Sequence, residues 1–166
     1  MTIIETIATA VKPWNEFYSH SNVVSGSVTY VHLSSLLLGG GFAVASDRAA
    51  LRIRNADIDE RRRVLQDFSG IHRSVVTALA MMVTSGLAMM LADVETFLVS
   101  PVYWIKMTLF VLLLSNGYLM MRTEQSLATN PSPSNPLWNR FTTGAIASLA
   151  LWLTTTLVGV ILMSAA

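Results

Sequence analysis

Apolar residues are concentrated in four long runs that are separated by polar connections. The runs cover about residues 23–45, 71–91, 102–121 and 142–163. About 20 consecutive apolar residues are enough for a helix to cross a hydrocarbon core of about 30 Å. Lys106 is the one Lys, Arg, Asp or Glu well inside any of the runs. We therefore predict four transmembrane helices.

The first 22 residues have a different pattern. Six apolar or aromatic residues follow helical spacing: Ile3, Ile4, Ile7, Val11, Trp14 and Tyr18. Polar residues lie elsewhere on the helical wheel: Thr2, Glu5, Thr9, Lys12 and Glu16. This pattern predicts an amphipathic helix that lies in the membrane interface. The segment lacks the positive start and the long apolar stretch of a signal peptide. The chain therefore divides into an interfacial segment, 1–22, and a membrane region, 23–166.

Short connections place sequential helices side by side. The expected fold class is all-α, an integral membrane four-helix up-down bundle with an N-terminal interfacial amphipathic helix. Small residues such as Ser35, Gly39 and Gly144 allow close contact between helices in lipid. These residues can serve packing within one bundle or contact between copies, and the sequence leaves both open.

Composition excludes several classes of function. The chain is 52% hydrophobic and 13% charged, and it has no cysteine. Disulfides, thiolate metal sites and covalent c-type haem are therefore excluded. The net charge of +1 gives no basis for nucleic-acid binding.

The arginines predict an orientation. The first connection, 46–70, holds six arginines, the second, 92–101, holds none, and the third, 122–140, holds two. Cytoplasmic loops carry the excess of basic residues. We expect a multi-pass protein of the bacterial inner (plasma) membrane, with both termini on the periplasmic or outer side.

Ionisable groups inside a membrane are costly, so each is a functional candidate. His32 lies near the middle of the first run, on a face with Ser25, Thr29, Ser35 and Gly39. Neutral imidazole is a suitable axial ligand for haem iron. His32 is therefore interpreted as a haem ligand or a proton relay. The alternative is a histidine that is hydrogen-bonded across the bundle.

His72 and Lys106 are the other two candidates. His72 lies at the cytoplasmic mouth of the second run, about 15 Å inside the bilayer centre at about 1.5 Å per residue. One haem bridging His32 and His72 would need the second helix to begin deeper. Otherwise each histidine serves a different haem, with methionine as second ligand, or the partner comes from another subunit. Lys106 is a candidate partner for a haem propionate or a quinone oxygen, unless it extends outward to the interface.

Three groups of short motifs carry a family resemblance. They are Tyr30-Val-His32 with Gly39-Gly-Gly41 and Asp47-Arg48; Ile71-His72-Arg73 with Thr84-Ser85-Gly86; and Lys106-Met107 leading to Asn116. The layout resembles small four-helix bacterial membrane proteins near the copper-resistance-D and cytochrome b561-like families. The resemblance implies a membrane-embedded b-type haem or a copper-linked role, with His32 and His72 as ligands of the metal. Cytochrome b561 proteins use two histidine pairs, whereas this chain has three histidines in all.

These observations predict a redox function without hydrolytic chemistry. No Gly-rich phosphate loop and no serine–histidine–acid grouping occurs in the sequence. We expect an electron-transfer or accessory subunit of a membrane redox complex that binds haem b. Its partners would be the lipid bilayer and other membrane subunits or a second copy. The alternatives are a structural subunit without cofactor, and a small copper or solute permease.

Overall fold

The structure, a computed structural model, describes residues 3–130, 132 and 135–165, apart from the side chains at positions 3, 69, 71, 72 and 165. The described residues form six helices and no strand. The helices are α1 Ile3–His20, α2 Asn22–Ile53, α3 Ile58–Ala92, α4 Val94–Val99, α5 Pro101–Thr129 and α6 Leu137–Ala165.

Helices α2, α3, α5 and α6 are long and apolar enough to cross a membrane, as predicted. They contain 29–35 residues. At about 1.5 Å per residue this gives roughly 43–53 Å, which exceeds a hydrocarbon core of about 30 Å. The excess lies mainly at the arginine-rich end, where α2 continues to Ile53 and α3 begins at Ile58.

The outward surface of these helices is apolar. Leu37 is 75% exposed and Leu153 is 71% exposed, and many other large apolar side chains are also exposed. An apolar surface of this extent is unfavourable in water. It is the surface expected of helices that contact lipid.

Small residues bring the helices into close contact. Helix α2 packs mainly on α3 and α6, α5 packs on α6, and α3 has little contact with α5. A Cβ atom added at Gly39 of α2 would lie 3.1 Å from the Cβ atom of Ala78 of α3. One added at Gly144 of α6 would lie 2.8 Å from Cγ of Met120 of α5. Gly39 and Gly144 thus serve packing within the chain.

The arginine-rich end has its own apolar core. Asp57 accepts a hydrogen bond from the Glu60 amide at 2.8 Å and caps α3. Buried Arg61 donates to the backbone carbonyls of Arg54 and Ala56 after α2. The core cluster consists of Ala50, Ile53, Leu65, Phe68, Leu127, Trp138, Phe141 and Ala145.

Helices α1 and α4 lie at the opposite end. Trp14 Nε1 of α1 donates to the Ala88 carbonyl of α3 at 2.9 Å, and the amide of Asn15 donates to the Ala92 carbonyl. Helix α4 occupies the second connection and is capped by Asp93. These contacts attach α1 to the end of the membrane helices.

Candidate functional site

Helix α2 turns a stripe of small and polar residues toward the protein interior. Ser35, Gly39, Ala43 and Asp47 repeat every four residues and are buried, and His32 lies on the same face, half-buried. A four-residue repeat keeps side chains on one face of a helix. The predicted polar stripe around His32 is therefore confirmed at Ser35 and Gly39.

The imidazole of His32 is held by α3. Its Nδ1 lies 3.1 Å from the Met82 carbonyl oxygen and 3.1 Å from Ser85 Oγ. The Ser85 hydroxyl donates to the Met81 carbonyl at 2.7 Å. Because a carbonyl oxygen can only accept, Nδ1 is the protonated nitrogen of this ring. Nε2 then carries the free lone pair, and it has no hydrogen bond to the described part of the chain.

Gly86 makes room for this ring. A Cβ atom at Gly86 would lie 3.2 Å from His32 Cε1 and 3.5 Å from Nδ1. A larger residue at this position would therefore push the imidazole away from the Met82 carbonyl. Ser85 thus contacts the ring through its hydroxyl, and Gly86 leaves the space that the ring occupies.

Lys106 lies between α5 and α6. Its Nζ is 3.5 Å from the position that a Cβ atom on Gly159 would occupy. Among the described residues the ammonium has no ion pair or hydrogen bond. Lys106 therefore points along α6 as a cation without a protein partner in that region.

Thr155 adds a third polar group without a partner. It lies on α6, one helical turn before Gly159, and is buried. Most threonines in these helices donate to the carbonyl four residues earlier, as Thr154 does to Ala150 at 2.8 Å. The Thr155 hydroxyl makes no hydrogen bond within the described residues. A buried hydroxyl without a partner is unfavourable, which makes this position informative.

The remaining histidines and methionines are placed as follows. The backbone of His72 belongs to α3, but its side chain lies outside the described residues. His20 is exposed at the end of α1, and its Nδ1 lies 2.8 Å from the Glu16 carbonyl. Met120 Sδ accepts from Asn116 Nδ2 at 3.7 Å. Of the predicted site residues, His32 is thus held by α3, and Lys106 lies beside Gly159 of α6.

A second polar region lies nearer the arginine-rich end. A cavity of about 280 Å³ is bounded by α2, α3, α5 and α6. Asp47 lines it, is 3% exposed, and its Oδ2 has no hydrogen bond within the described residues. Ser148 of α6 also lines the cavity and is buried. Glu124 also lines the cavity, is buried, and has an interaction partner of its own.

Sequence analysis missed Asp47 and Glu124 because both follow the apolar runs and lie beside arginine or polar residues. In that setting a carboxylate is usually solvated. The signal that locates Asp47 is the small-residue repeat Ser35, Gly39, Ala43, which places position 47 on the same buried face. Glu124 has no comparable signal, since α5 buries few residues.

No family model, curated protein or solved structure matches this chain. Within the described residues, no three or more His, Asp and Glu side chains are grouped so that they could hold a metal ion. The function is therefore inferred from the individual side chains of the interior.

Proposed function

We propose that this protein is an electron-transfer or accessory subunit of a membrane redox complex and that it binds haem b through Nε2 of His32. The observation that carries the proposal is the hydrogen bond from Nδ1 of His32 to the Met82 carbonyl. Metal-bound histidines almost always donate their other ring N–H to a carbonyl or carboxylate. That bond fixes the ring and leaves Nε2 as the ligand.

The polar groups around His32 fit a bound haem. Lys106 is the residue that would pair with a propionate, since its side chain lies inside the bundle beside Gly159 and has no described protein partner. The Thr155 hydroxyl, buried and unpaired, would gain a partner in the same part of the bundle. When bound, haem would supply one-electron chemistry, and its potential would depend on the second ligand and the surrounding polarity.

His72 serves a separate role in this proposal. Ser85, the contact of His32, lies thirteen positions after position 72 on α3. This spacing corresponds to about 20 Å of helix at about 1.5 Å per residue. A single flat haem on His32 does not bridge such a distance, so His72 would hold a second haem or a ligand from another subunit.

We infer the membrane arrangement from the charges and the helix lengths. The four long helices would form an up-down bundle across the bacterial inner membrane, and α1 would lie in the outer interface. The end with Arg48, Arg52, Arg61 and Arg63 would face the cytoplasm. Both termini would then lie on the outer side.

The visible spectrum of the full chain tests the haem assignment. The protein is expressed with a haem precursor, purified in mild detergent, and measured oxidised and dithionite-reduced. The wild type is expected to show a Soret band and the sharp reduced bands of a b-type haem. His32→Ala is expected to lose them, and His20→Ala, a change at an exposed histidine outside the bundle, is expected to keep them.

A rescue measurement separates ligation from folding. Imidazole added to His32→Ala is expected to restore part of the spectrum, because free imidazole can occupy the vacated position beside Gly86. A colourless wild type that also fails to bind added haemin would contradict the proposal. That result would leave a structural subunit without cofactor as the better hypothesis.

A further inference from the structure

The cavity beside Asp47 opens sideways toward the lipid. Val76 of α3 and Tyr118 of α5 both line it, and they are 60% and 53% exposed. Helices α3 and α5 have little contact with each other, so the opening lies between them. A ligand of this cavity would therefore enter from the bilayer and would need an apolar body.

The size and the walls of the cavity fit a small ring compound. Its volume is about 280 Å³, roughly twice that of a cavity that holds benzene. Phe68, Phe141, Trp152 and Tyr118 contribute aromatic side chains to its lining. Aromatic faces attract cations as well as apolar groups.

The charge of the cavity is acidic. Its lining includes two carboxylic acids, Asp47 and Glu124, and no described Lys, Arg or His. The Oδ2 atom of Asp47 is buried without a hydrogen bond to the described residues. A buried carboxylate without a partner is strongly unfavourable unless a cation or a donor meets it.

We propose that this cavity binds a lipophilic cation, a protonated amine on a small apolar body, with the Asp47 carboxylate as its counter-ion. The ammonium pairs with the carboxylate that Asp47 contributes to the cavity lining, and the apolar body lies among the aromatic side chains. This site is separate from His32, which does not line the cavity. The inference therefore does not depend on haem binding.

The test uses the full chain in detergent with 2-phenylethylamine as probe. 2-Phenylethanol is the matched neutral compound, because it has the same apolar body and a hydroxyl in place of the ammonium. Binding is measured by calorimetry and by the fluorescence of Trp152 and the other tryptophans. We expect the amine to bind about tenfold or more tightly than the alcohol, a difference typical of a buried charge pair.

Two variants and a control locate the site. Asp47→Asn is expected to weaken amine binding by about tenfold or more while leaving the alcohol unchanged. Asp67→Asn makes the same change at an exposed acid of α3 and is expected to bind like the wild type. Gly117→Leu is expected to abolish binding of both compounds with unchanged helicity, because Gly117 lines the cavity and an added Cβ atom meets nothing within 4 Å.

Three results would overturn the proposal. Equal affinity for the amine and the alcohol would show a purely apolar cavity. Equal amine affinity in the wild type and Asp47→Asn would show that Asp47 is not the counter-ion of the amine. Amine binding that survives in Gly117→Leu would place the compound elsewhere, and this variant decides the question even if Asp47→Asn does not fold.

Discussion

The contact between Gly39 and Ala78 sets how closely α2 and α3 approach. Replacing Gly39 by alanine would place the new Cβ atom 3.1 Å from that of Ala78, whereas ordinary contact begins at about 3.4 Å. The Ala78 methyl is bonded directly to the backbone of α3, so it cannot rotate away. The two helices must separate by about 0.3 Å, and the second neighbour, Trp152 at 3.7 Å, limits movement on the other side.

The expected cost of Gly39→Ala is about 1–3 kcal/mol, the usual effect of an extra methyl group in a well-packed interior. In water the substitution would regain about 0.5–1 kcal/mol of helix propensity. In lipid the separated helices keep their backbone hydrogen bonds, so little of that gain appears in the unfolding equilibrium. Gly41→Ala is the matched control, because a Cβ atom there meets nothing within 4 Å. It should leave stability within about 0.5 kcal/mol of the wild type.

Reversible unfolding in mixed detergent micelles measures both variants by far-UV circular dichroism and tryptophan fluorescence. The double variant Gly39→Ala with Ala78→Gly removes the opposing methyl group and should recover most of the lost stability. If Gly39→Ala and Gly41→Ala are equally stable, the close approach of α2 and α3 is not a packing constraint. If the double variant is less stable than Gly39→Ala and Gly41→Ala, Ala78 is not the residue that opposes the new methyl group at position 39.

Other contacts give shorter predictions. Asp57→Ala removes the cap of α3 and should lower the free energy of unfolding by about 1 kcal/mol. Hydrogen exchange would show this as faster exchange of the amides in the first turn of α3. Asp59→Ala is the control and should change little, because it removes no cap hydrogen bond. Arg61→Lys loses the forked contacts to backbone carbonyls and the position 4.7 Å above the Trp138 ring, and should lower stability by about 1–3 kcal/mol in thermal melting. If Arg61→Lys were as stable as the wild type, the positive charge at position 61 would account for the stabilisation without the forked contacts. Asn116→Leu breaks a 3.0 Å hydrogen bond to the Gly144 carbonyl of α6. It should lower the free energy of unfolding in detergent by about 0.6 kcal/mol. A much larger loss would show that Asn116 contributes more than this one hydrogen bond.

The sequence predicts the membrane helices better than their ends. Hydropathy marks where apolar residues stop, whereas α2 continues for eight residues beyond position 45 because its Ala50 and Ile53 enter the core at the arginine-rich end. The predicted polar face around His32 is confirmed at Ser35 and Gly39, because helical spacing alone places these residues on one face. The contact of His32 with Met82 could not be predicted, because it depends on the vertical register of α3 against α2. Asp47 was missed for a different reason: it follows the apolar run and precedes Arg48, a setting in which a carboxylate is usually solvated.

Ala43, Leu113 and Trp152 form an apolar cluster, and Ala43 lies between His32 and Asp47 along α2. The Trp152 ring packs 3.7 Å from the Cβ position of Gly39 and 3.5 Å from that of Gly40, so the glycine pair allows the indole to fill the space between α2 and α6. A hydrated ion or polar solute passing this cluster would have to leave its water, which is costly inside a membrane. An electron needs no such path. The permease hypothesis therefore requires Trp152 to move away from both glycines, whereas the proposed haem on His32 would require no such movement.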